Sequence, residues 1–277
     1  MKKNKIILLL SLIVCQVQAY DFEADGIYYN ITSRFKRTVE VTHWEEQTGD
    51  RGQPQRVCHH HNCAHHQHEG ETLTEEHLRL IRLDEEAVQR EKTAYVGDVV
   101  IPEKVWHRGI KYRVTGIGSG SFYTRKHLTS VTMPAGIKYI GDAAFENCRM
   151  LREIHIPDAV THIGAAAFRQ CSNLSELVLP KNLHTLDIYT FAFCEKLVKV
   201  QMGASLVSFP GNAFFHCIRL KSVTLLHTEP PIIENNRGLK MNFNNITFYV
   251  PENMLPVYQR NEFWNKQTIK QLNKTNL

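Results

Sequence analysis

The sequence predicts an α/β, β-dominated solenoid, in which short repeats coil around a parallel sheet between a small N-terminal β cap and a C-terminal cap. Three series of residues, each advancing by 23 positions, carry this prediction. They are the aromatic series Phe122, Phe145, Phe168, Phe191 and Phe214, the leucine series Leu128, Leu151, Leu174, Leu197 and Leu220, and the cysteine series Cys148, Cys171, Cys194 and Cys217. Apolar residues with such a period bury their side chains by stacking on the equivalent residues of neighbouring repeats.

Each repeat is predicted to contain a short strand, a turn and a compact bend. In the unit that begins at Leu151, apolar residues stand at 151, 154 and 156, and the last two alternate with polar residues as a strand requires. Pro157 has no amide hydrogen to donate, so it ends the strand. Residues 165–168, Ala-Ala-Ala-Phe, have the composition of a helical turn. Strands one repeat apart should then lie side by side in register, about 4.8 Å apart.

The predicted organisation has four parts. Residues 1–19 are predicted to be a signal peptide, because three lysines precede an apolar run that ends at Val14, before a Val17-Gln18-Ala19 cleavage site. Residues 20–116 form the N-terminal β cap and a first strand unit, with an insertion at about 45–93. Residues 117–226 hold the repeats, and residues 227–277 form the C-terminal cap. We expect the N-terminal cap to contain Phe22, Ile27, Tyr28, Val39 and Val41, and the other end to be closed by Phe248, Tyr249, Val250, Tyr258, Phe263 and Trp264. A lipid anchor at Cys15 is the disfavoured alternative, since the preceding valine is bulky for such a site.

Composition indicates an exported protein without a nucleic-acid partner. No stretch after the signal peptide reaches the length of a transmembrane helix. The whole chain has 33 basic and 28 acidic residues and a net charge of +5, which falls to +2 without the three signal-peptide lysines. That balance offers no electrostatic footprint for nucleic acid. The cysteine series occupies core positions, so we expect inert buried thiols, with disulfides along the series as the alternative in an oxidising compartment.

The repeat units carry a family resemblance. Leu128–Pro134 followed by Ile140–Cys148 resembles the repeat of the BspA-like leucine-rich repeat family, a group of secreted and surface proteins. The resemblance covers about residues 20–44 and 95–272. It implies a leucine-rich-repeat solenoid whose surface recognises an extracellular protein or a glycan.

The later units depart from the family's pattern at three turn positions. Gly203 replaces the turn proline, Asp187 stands where a glycine is expected, and Pro210 follows Phe209 in place of a glycine. These departures bear on local turn geometry and leave the predicted architecture unchanged.

The candidate partner-binding surface is the solvent face of the repeat strands. Residues between the apolar positions of a strand face away from the core. Across the repeats that face carries Ser130, Thr132, Glu153, His155, Glu176, Val178, Lys199, Gln201, Ser222 and Thr224. Because the set is mixed and polar, the alternative is that these residues only keep the sheet soluble.

The insertion carries a second candidate site. Six histidines fall within residues 59–68, and imidazole and thiolate groups bind zinc, copper and nickel. The candidate ligands are Cys58, His59, His60, His61, Cys63, His65, His66 and His68. A disulfide between the two cysteines, or a surface tract without metal, remains open because no second cysteine pair follows at a matching spacing. Residues 72–92 are predicted to form a helix that begins with a capping box at Thr72 and Glu75.

The sequence favours a binding protein over an enzyme. It has no nucleophile elbow, no phosphate-binding glycine loop and no zinc-protease motif. Our primary hypothesis is a secreted or surface-displayed protein that recognises a protein or glycan through the solenoid. The alternative is a protein that binds or sequesters zinc, copper or nickel through the insertion. A structural role in a surface layer is a third hypothesis.

Overall fold

The computed structural model describes residues 22–24, 27–42, 95–234 and 245–273. Among these residues lie a short helix, α1 (Leu255–Arg260), and two 3-10 turns, Glu252–Met254 and Trp264–Lys266. The strands are β1 (Phe22–Ala24), β2 (Ile27–Ser33), β3 (Thr38–Thr42), β4 (Gly97–Val100), β5 (Lys104–His107), β6 (Ile110–Ile117), β7 (Leu128–Thr132), β8 (Tyr139–Ile140), β9 (Glu153–Ile154), β10 (His162–Ile163), β11 (Glu176–Val178), β12 (Thr185–Leu186), β13 (Lys199–Met202), β14 (Ser208–Pro210), β15 (Ser222–Leu225), β16 (Ile232–Glu234), β17 (Thr247–Val250) and β18 (Thr268–Gln271). The predicted signal peptide and the insertion, with its predicted helix, lie outside the described residues.

The repeats contribute strands to two faces of the coil, which we call sheet I and sheet II, and each consists of two hydrogen-bonded segments. Sheet I consists of β4-β7-β9 and, unpaired to it, β11-β13-β15-β17-β18. Sheet II consists of β1-β2-β3-β6-β8-β10-β12, with β5 on β6, and a separate pair, β14-β16. Paired residues of neighbouring repeats are 23 positions apart, as in Glu176 with Lys199 and His162 with Thr185. The predicted parallel, in-register solenoid is confirmed. The sequence argument predicted one strand in each repeat, whereas the repeats form two, of which the second is only two or three residues long.

The bend that follows the sheet II strand is a ladder of turns and not the predicted helical turn. The amides of Ala143, Phe145 and Asn147 donate to carbonyl groups of the next repeat at 2.7–2.8 Å, and the amides between them donate to a carbonyl three residues back. Ala143 and Asn147 have left-handed φ values of 50° and 63°, and their equivalents Ala166 and Gln170 have 54° and 60°. An α-helix would keep its amide hydrogen bonds within itself. The alternating turns instead direct half of the amides to the neighbouring repeat.

Glycine begins two of these bends because neighbouring repeats approach closely there. A β-carbon on Gly141 would lie 2.5 Å from the Ser119 amide nitrogen, and one on Gly164 would lie 2.7 Å from the Asp142 amide nitrogen. In the next repeat Asp187 occupies this position, and its amide still donates to Ile163 O at 3.1 Å. The ladder therefore continues through the departure from glycine.

Sheet II is interrupted one repeat later, between β12 and β14. In the earlier repeats the amides of Gly141 and Gly164 donate to the carbonyl groups of Ile117 and Ile140 at 2.8 and 2.9 Å. Pro210 holds the equivalent position, and proline has no amide hydrogen to donate. Its departure from the pattern therefore alters the local pairing without ending the coil.

A stack of five phenylalanine rings organises the core. The rings of Phe122, Phe145, Phe168, Phe191 and Phe214 lie 4.8, 5.0, 5.2 and 5.4 Å apart and within 10° of parallel. Tyr95 meets the first ring edge-on at 4.7 Å, and Phe209 meets the last ring edge-on at 6.5 Å. Each ring of the stack therefore contacts an aromatic neighbour on both sides.

A ladder of free thiols runs beside the rings. The Sγ atoms of Cys148, Cys171, Cys194 and Cys217 donate to the carbonyl oxygens of Phe122, Phe145, Phe168 and Phe191 at 3.0, 3.2, 3.3 and 3.1 Å. All four are free cysteines. Burial raises the pKa of Cys148 and that of Cys217 to about 12, so these thiols stay protonated at neutral pH. Cys148, Cys171 and Cys194 are buried as expected, Cys217 is half-buried, and none of the four forms a disulfide in this structure.

The N-terminal cap is a small antiparallel meander that joins the solenoid. β1 pairs with β2 and β2 with β3 in antiparallel fashion, whereas β3 lies parallel to β6 of sheet II. The side chains of Ile27, Val39 and Val41, which we predicted in this cap, are buried. The predicted cap residues Phe22 and Tyr28 lie on β1 and β2, and their side chains are not described. The predicted β cap is confirmed.

The C-terminal cap is built around Trp264. Its indole nitrogen donates to Pro231 O at 2.9 Å, and its ring meets those of Phe248 and Tyr258 edge-on at 5.1 and 5.5 Å. These three residues are buried as predicted. Phe263, also predicted to close this end, is exposed and lies edge-on against the tryptophan.

Removing one ring from the stack should destabilise the solenoid. Phe168→Ala deletes a fully buried ring that contacts two others, so the free energy of unfolding should fall by about 3–5 kcal/mol. Urea denaturation followed by circular dichroism measures this loss. Phe35→Ala is the matched control, because Phe35 is exposed in a turn and its loss should change stability by less than about 0.5 kcal/mol. Equal losses in the two variants would contradict the role assigned to the stack.

Acidification should destabilise the protein at His227. Its Nε2 donates to Leu206 O at 2.6 Å, while its buried Nδ1 has no hydrogen-bond partner within the described residues. Burial lowers the pKa of His227, so the folded state disfavours the imidazolium. The stability contributed by the neutral ring is therefore present above the unfolded value of about 6.5 and is lost as pH falls below it.

His227→Gln should flatten this pH dependence, because the amide can keep a donor to Leu206 O without a titrating group. Urea melts at pH 7.5 and 5.5 give the comparison. Parent protein should lose more stability than His227→Gln on acidification, whereas the exposed His184→Gln should behave as the parent does. Identical pH dependence in parent and His227→Gln would disprove the assignment.

Candidate binding face of the solenoid

The solvent side of sheet I presents two parallel rows of side chains. In-register pairing places Ser130 beside Glu153, Glu176 beside Lys199, and Val178 beside Gln201. The first row is Asp98, Ser130, Glu153, Glu176, Lys199 and Ser222, and the second is Val100, Thr132, His155, Val178, Gln201 and Thr224. Side chains of alternate strand residues share one face, so both rows point away from the stacked rings.

Nine of the ten predicted face residues reach solvent. Thr132, Glu153, His155, Glu176, Val178 and Lys199 are exposed, while Ser130, Gln201 and Ser222 are half-buried. Thr224, predicted to be exposed, is only 6% exposed. It lies between Gln201 and Tyr249 in the sheet register, and both of these neighbours have longer side chains that cover an outward threonine. The prediction of its exposure is therefore wrong.

The first row is predominantly charged. Asp98 accepts hydrogen bonds from the hydroxyl groups of Ser130 and Thr129, each at 2.7 Å, and these bonds lower the pKa of its carboxyl group. Farther along the row, Lys199 Nζ lies 3.7 Å from Glu176 Oε1. Both of these side chains are exposed, so the pair orients the two groups without stabilising the fold much. The row thus offers carboxylate acceptors and one ammonium group.

The second row is nearly uncharged. Val100 and Val178 are 66% and 59% exposed, although valine normally faces the core of a sheet. Thr132 and His155 lie between these valines in the row and supply a hydroxyl and an imidazole group. Gln201 lies next to Val178 and supplies an amide group. An exposed row that combines apolar side chains with neutral hydrogen-bonding groups can contact a ligand without burying a charged group. The free energy needed to desolvate the row is therefore small.

The C-terminal cap extends this face, which the sequence argument missed. β17 pairs with β15, and β18 pairs with β17, both in parallel. Tyr249 therefore continues the second row beyond Thr224, and Lys270 follows it. We had assigned Tyr249 to the closure of the core, but it is half-buried on the sheet surface. Its place in an alternating Thr-Phe-Tyr-Val strand was the signal that could have identified it.

A second surface that the sequence argument missed lies on the turn ladder of the last two repeats. The rings of Phe193 and Phe215 meet edge-on at 5.5 Å, His216 lies 5.1 Å from Phe193, and Tyr189 lies 6.4 Å from Phe215. The guanidinium group of Arg169 lies 5.7 Å from the Phe193 ring. Positions 23 and 46 residues before Phe193 hold glutamine and asparagine, so this aromatic cluster is local to the end of the coil.

The candidate metal ligands of the insertion, Cys58 to His68, lie outside the described residues. In the part of the chain that the structure describes, no group of three or more His, Cys, Asp or Glu residues is placed to hold a metal ion. No helix within the same ranges has the length and apolar character needed to cross a bilayer.

Comparison with protein families agrees with this geometry. Residues 110–236 match the BspA type leucine-rich repeat region, in six copies. This part of the chain is a BspA-type leucine-rich repeat region. Val178 and the neutral groups of the second row, Thr132, His155 and Gln201, thus lie within a known repeat type, whereas Val100 precedes the matched residues. Comparison with curated protein sequences finds no match.

Two crystal structures share this fold. A leucine-rich repeat protein of T. pallidum is 22% identical, with a TM-score of 0.51, and the match covers 74% of this chain and 71% of that one. The pneumococcal vaccine antigen PcpA is 21% identical, also with a TM-score of 0.51, and the match covers 63% of this chain and 40% of that one. At these identities the likeness extends to the fold alone.

Proposed function

We propose that this leucine-rich repeat protein is a non-enzymatic recognition protein, secreted or displayed at the cell surface, which binds an extracellular protein or glycan through the solvent face of sheet I. Leucine-rich repeat proteins generally bind partners and do not catalyse reactions. The predicted signal peptide supports export of the chain.

The exposed neutral row carries this proposal. Val100 and Val178 stand on the open sheet where solubility alone favours polar residues, and neutral hydrogen-bonding groups lie between and beside them. The charged row runs next to it. Along each row, successive side chains stand on neighbouring strands, which lie about 4.8 Å apart. Binding sites commonly combine an apolar centre with a polar rim, and these two rows provide both on one face of the coil.

A charge in the neutral row should abolish recognition. The mature chain from Tyr20 to Leu277 is screened by biolayer interferometry against extracellular-matrix proteins, serum proteins and a glycan array. For each ligand found, Val178→Lys should weaken binding at least about tenfold, because a charged group would have to be desolvated in the contact.

Val207→Lys is the matched control. Val207 is also well exposed, but it precedes β14 and lies away from sheet I, so its replacement should leave affinity unchanged. Equal effects of the two lysine variants would exclude sheet I as the binding face. Retention of no panel component by the parent protein would exclude recognition of these ligand classes.

A second candidate function is transition-metal binding by the insertion. The observation that favours it is the density of ligands: six histidines and one cysteine lie within residues 59–68, and Cys58 precedes them. Zinc, copper and nickel sites are built from such imidazole and thiolate groups. In this role the repeats would serve as the body that carries the metal-binding segment.

Metal content tests this second function. Untagged mature protein purified without chelator should contain stoichiometric zinc, copper or nickel by mass spectrometry, and a variant with the histidines of 59–68 changed to serine should contain none. Because none of the candidate ligands belongs to the repeats, deletion of residues 57–69 should leave the thermal melt of the repeats nearly unchanged. Absence of metal from parent protein after incubation with all three ions would reject metal binding.

A further inference from the structure

Two turns project from the same end of the N-terminal cap. One joins β2 to β3 through residues 34–37, and the other joins β5 to β6 through Arg108 and Gly109. Because β3 lies parallel to β6, with Thr38 opposite Arg113, the residues that precede Thr38 run alongside the first residues of β6. The Arg113 amide also donates to Arg37 O at 2.8 Å. The two turns are therefore neighbours.

These turns and their strands concentrate positive charge. The two segments, residues 33–38 and 104–113, hold no acidic residue and seven basic ones, namely Arg34, Lys36, Arg37, Lys104, Arg108, Lys111 and Arg113. All seven are exposed. Two carboxylates border the segments: Glu103 pairs with Lys104 at 3.1 Å, and Glu23 lies on β1, which packs against β5. The seven basic residues exceed the net charge of +2 that remains without the three signal-peptide lysines, so the positive charge of the mature chain is concentrated here.

Large apolar side chains project from the same surface. Phe35 stands in the first turn and is 96% exposed, and Trp106 on β5 is 63% exposed. Ile110, which follows the second turn, is also exposed. Lys111 Nζ lies 5.4 Å from the Trp106 ring, so an aromatic group and a cation share one position on the hairpin. Phe35 thus lies in the first turn, and Trp106 and Ile110 lie on the two strands that the second turn joins.

We propose that this basic surface, defined by residues 33–38 and 104–113, docks the protein peripherally on an anionic lipid bilayer, with Phe35 and Trp106 entering the headgroup region. Basic residues near such a surface are attracted to its negative potential. Tryptophan is enriched at the membrane interface, where its ring lies at headgroup level, and a turn-tip phenylalanine can reach the acyl boundary.

The apolar side chains favour a bilayer over a soluble polyanion. A sulfated polysaccharide or a nucleic acid could neutralise the seven basic groups, but it has no apolar interior to receive an almost fully exposed Phe35. A bilayer supplies negative charge and an apolar layer within one side-chain length of each other. β3 ends at Thr42, at the opposite end of the strand from the turn of residues 34–37.

Vesicle sedimentation tests the proposal with the full mature chain. Vesicles of phosphatidylcholine containing one third phosphatidylglycerol should retain the protein, and vesicles of phosphatidylcholine alone should not. Arg34→Gln/Lys36→Gln/Lys111→Gln should weaken partitioning by about a hundredfold, at about fivefold for each charge. Phe35→Ser/Trp106→Ser should weaken it by about tenfold while all seven charges remain.

Matched controls come from the other end of the molecule. Arg219→Gln/Lys221→Gln/Lys266→Gln removes three exposed charges, and Val207→Ser/Ile218→Ser removes two exposed apolar side chains. Both controls should bind anionic vesicles as the parent does. Brominated acyl chains should quench parent fluorescence more strongly than that of Trp106→Phe, because Trp106 enters the bilayer.

Three results would overturn the proposal. The first is a failure of the parent protein to sediment with anionic vesicles, and the second is an equal loss of binding in the controls and the surface variants. The third result combines two observations. Phe35→Ser/Trp106→Ser keeps full vesicle binding while the charge variant loses it, and the parent and the apolar variant bind heparin equally. That result would assign the surface to soluble polyanions.

Discussion

The structure depends on the stacking of equivalent residues at the separation of hydrogen-bonded parallel strands. Strands pair at about 4.8 Å, and the phenylalanine rings, one in each repeat, lie 4.8 to 5.4 Å apart. Backbone ladder and ring stack therefore require nearly the same spacing, and satisfying one satisfies the other. The cysteine ladder obeys the same limit, because each thiol reaches the carbonyl group of a phenylalanine 26 residues earlier. A repeat of different length would disrupt all three at once.

The side chains of the repeat could be predicted from sequence because their chemistry recurs every 23 residues. The backbone of the bend could not. Ala143 and Ala166 adopt left-handed φ angles, yet alanine gives no signal of that conformation, which costs roughly 1–2 kcal/mol relative to the right-handed one. Gly120 occupies the equivalent position in the first repeat with φ of 66°, and it is the one residue that hinted at the geometry. Inter-repeat hydrogen bonds, which sequence does not display, maintain the strained residues.

The strands β17 and β18 do not follow the 23-residue period, which is why the extension of the candidate binding face into the cap was not predicted. Thr247 pairs with Ser222 at a separation of 25 residues, and Thr268 pairs with Thr247 at 21, so neither strand falls in the 23-residue series. Tyr249 consequently looked like a core residue of the cap. Thr224 was misjudged for a related reason: alternation predicts the direction of a side chain, whereas exposure depends on the size of its lateral neighbours. The other nine face residues reach solvent, so for them direction alone sufficed.

The division of the face into a charged and a neutral row affects how such a surface would discriminate between partners. Desolvating Glu176 or Lys199 would cost free energy that a single new contact barely offsets, so these groups are better suited to orienting a partner at the rim. Val178 and Thr132 lose little on desolvation and can lie at the centre of a contact. Because the repeat spacing is uniform, a partner that presents groups at about 4.8 Å intervals would engage several strands together. A rigid sheet contributes to such binding chiefly by having its rows ordered before the partner arrives.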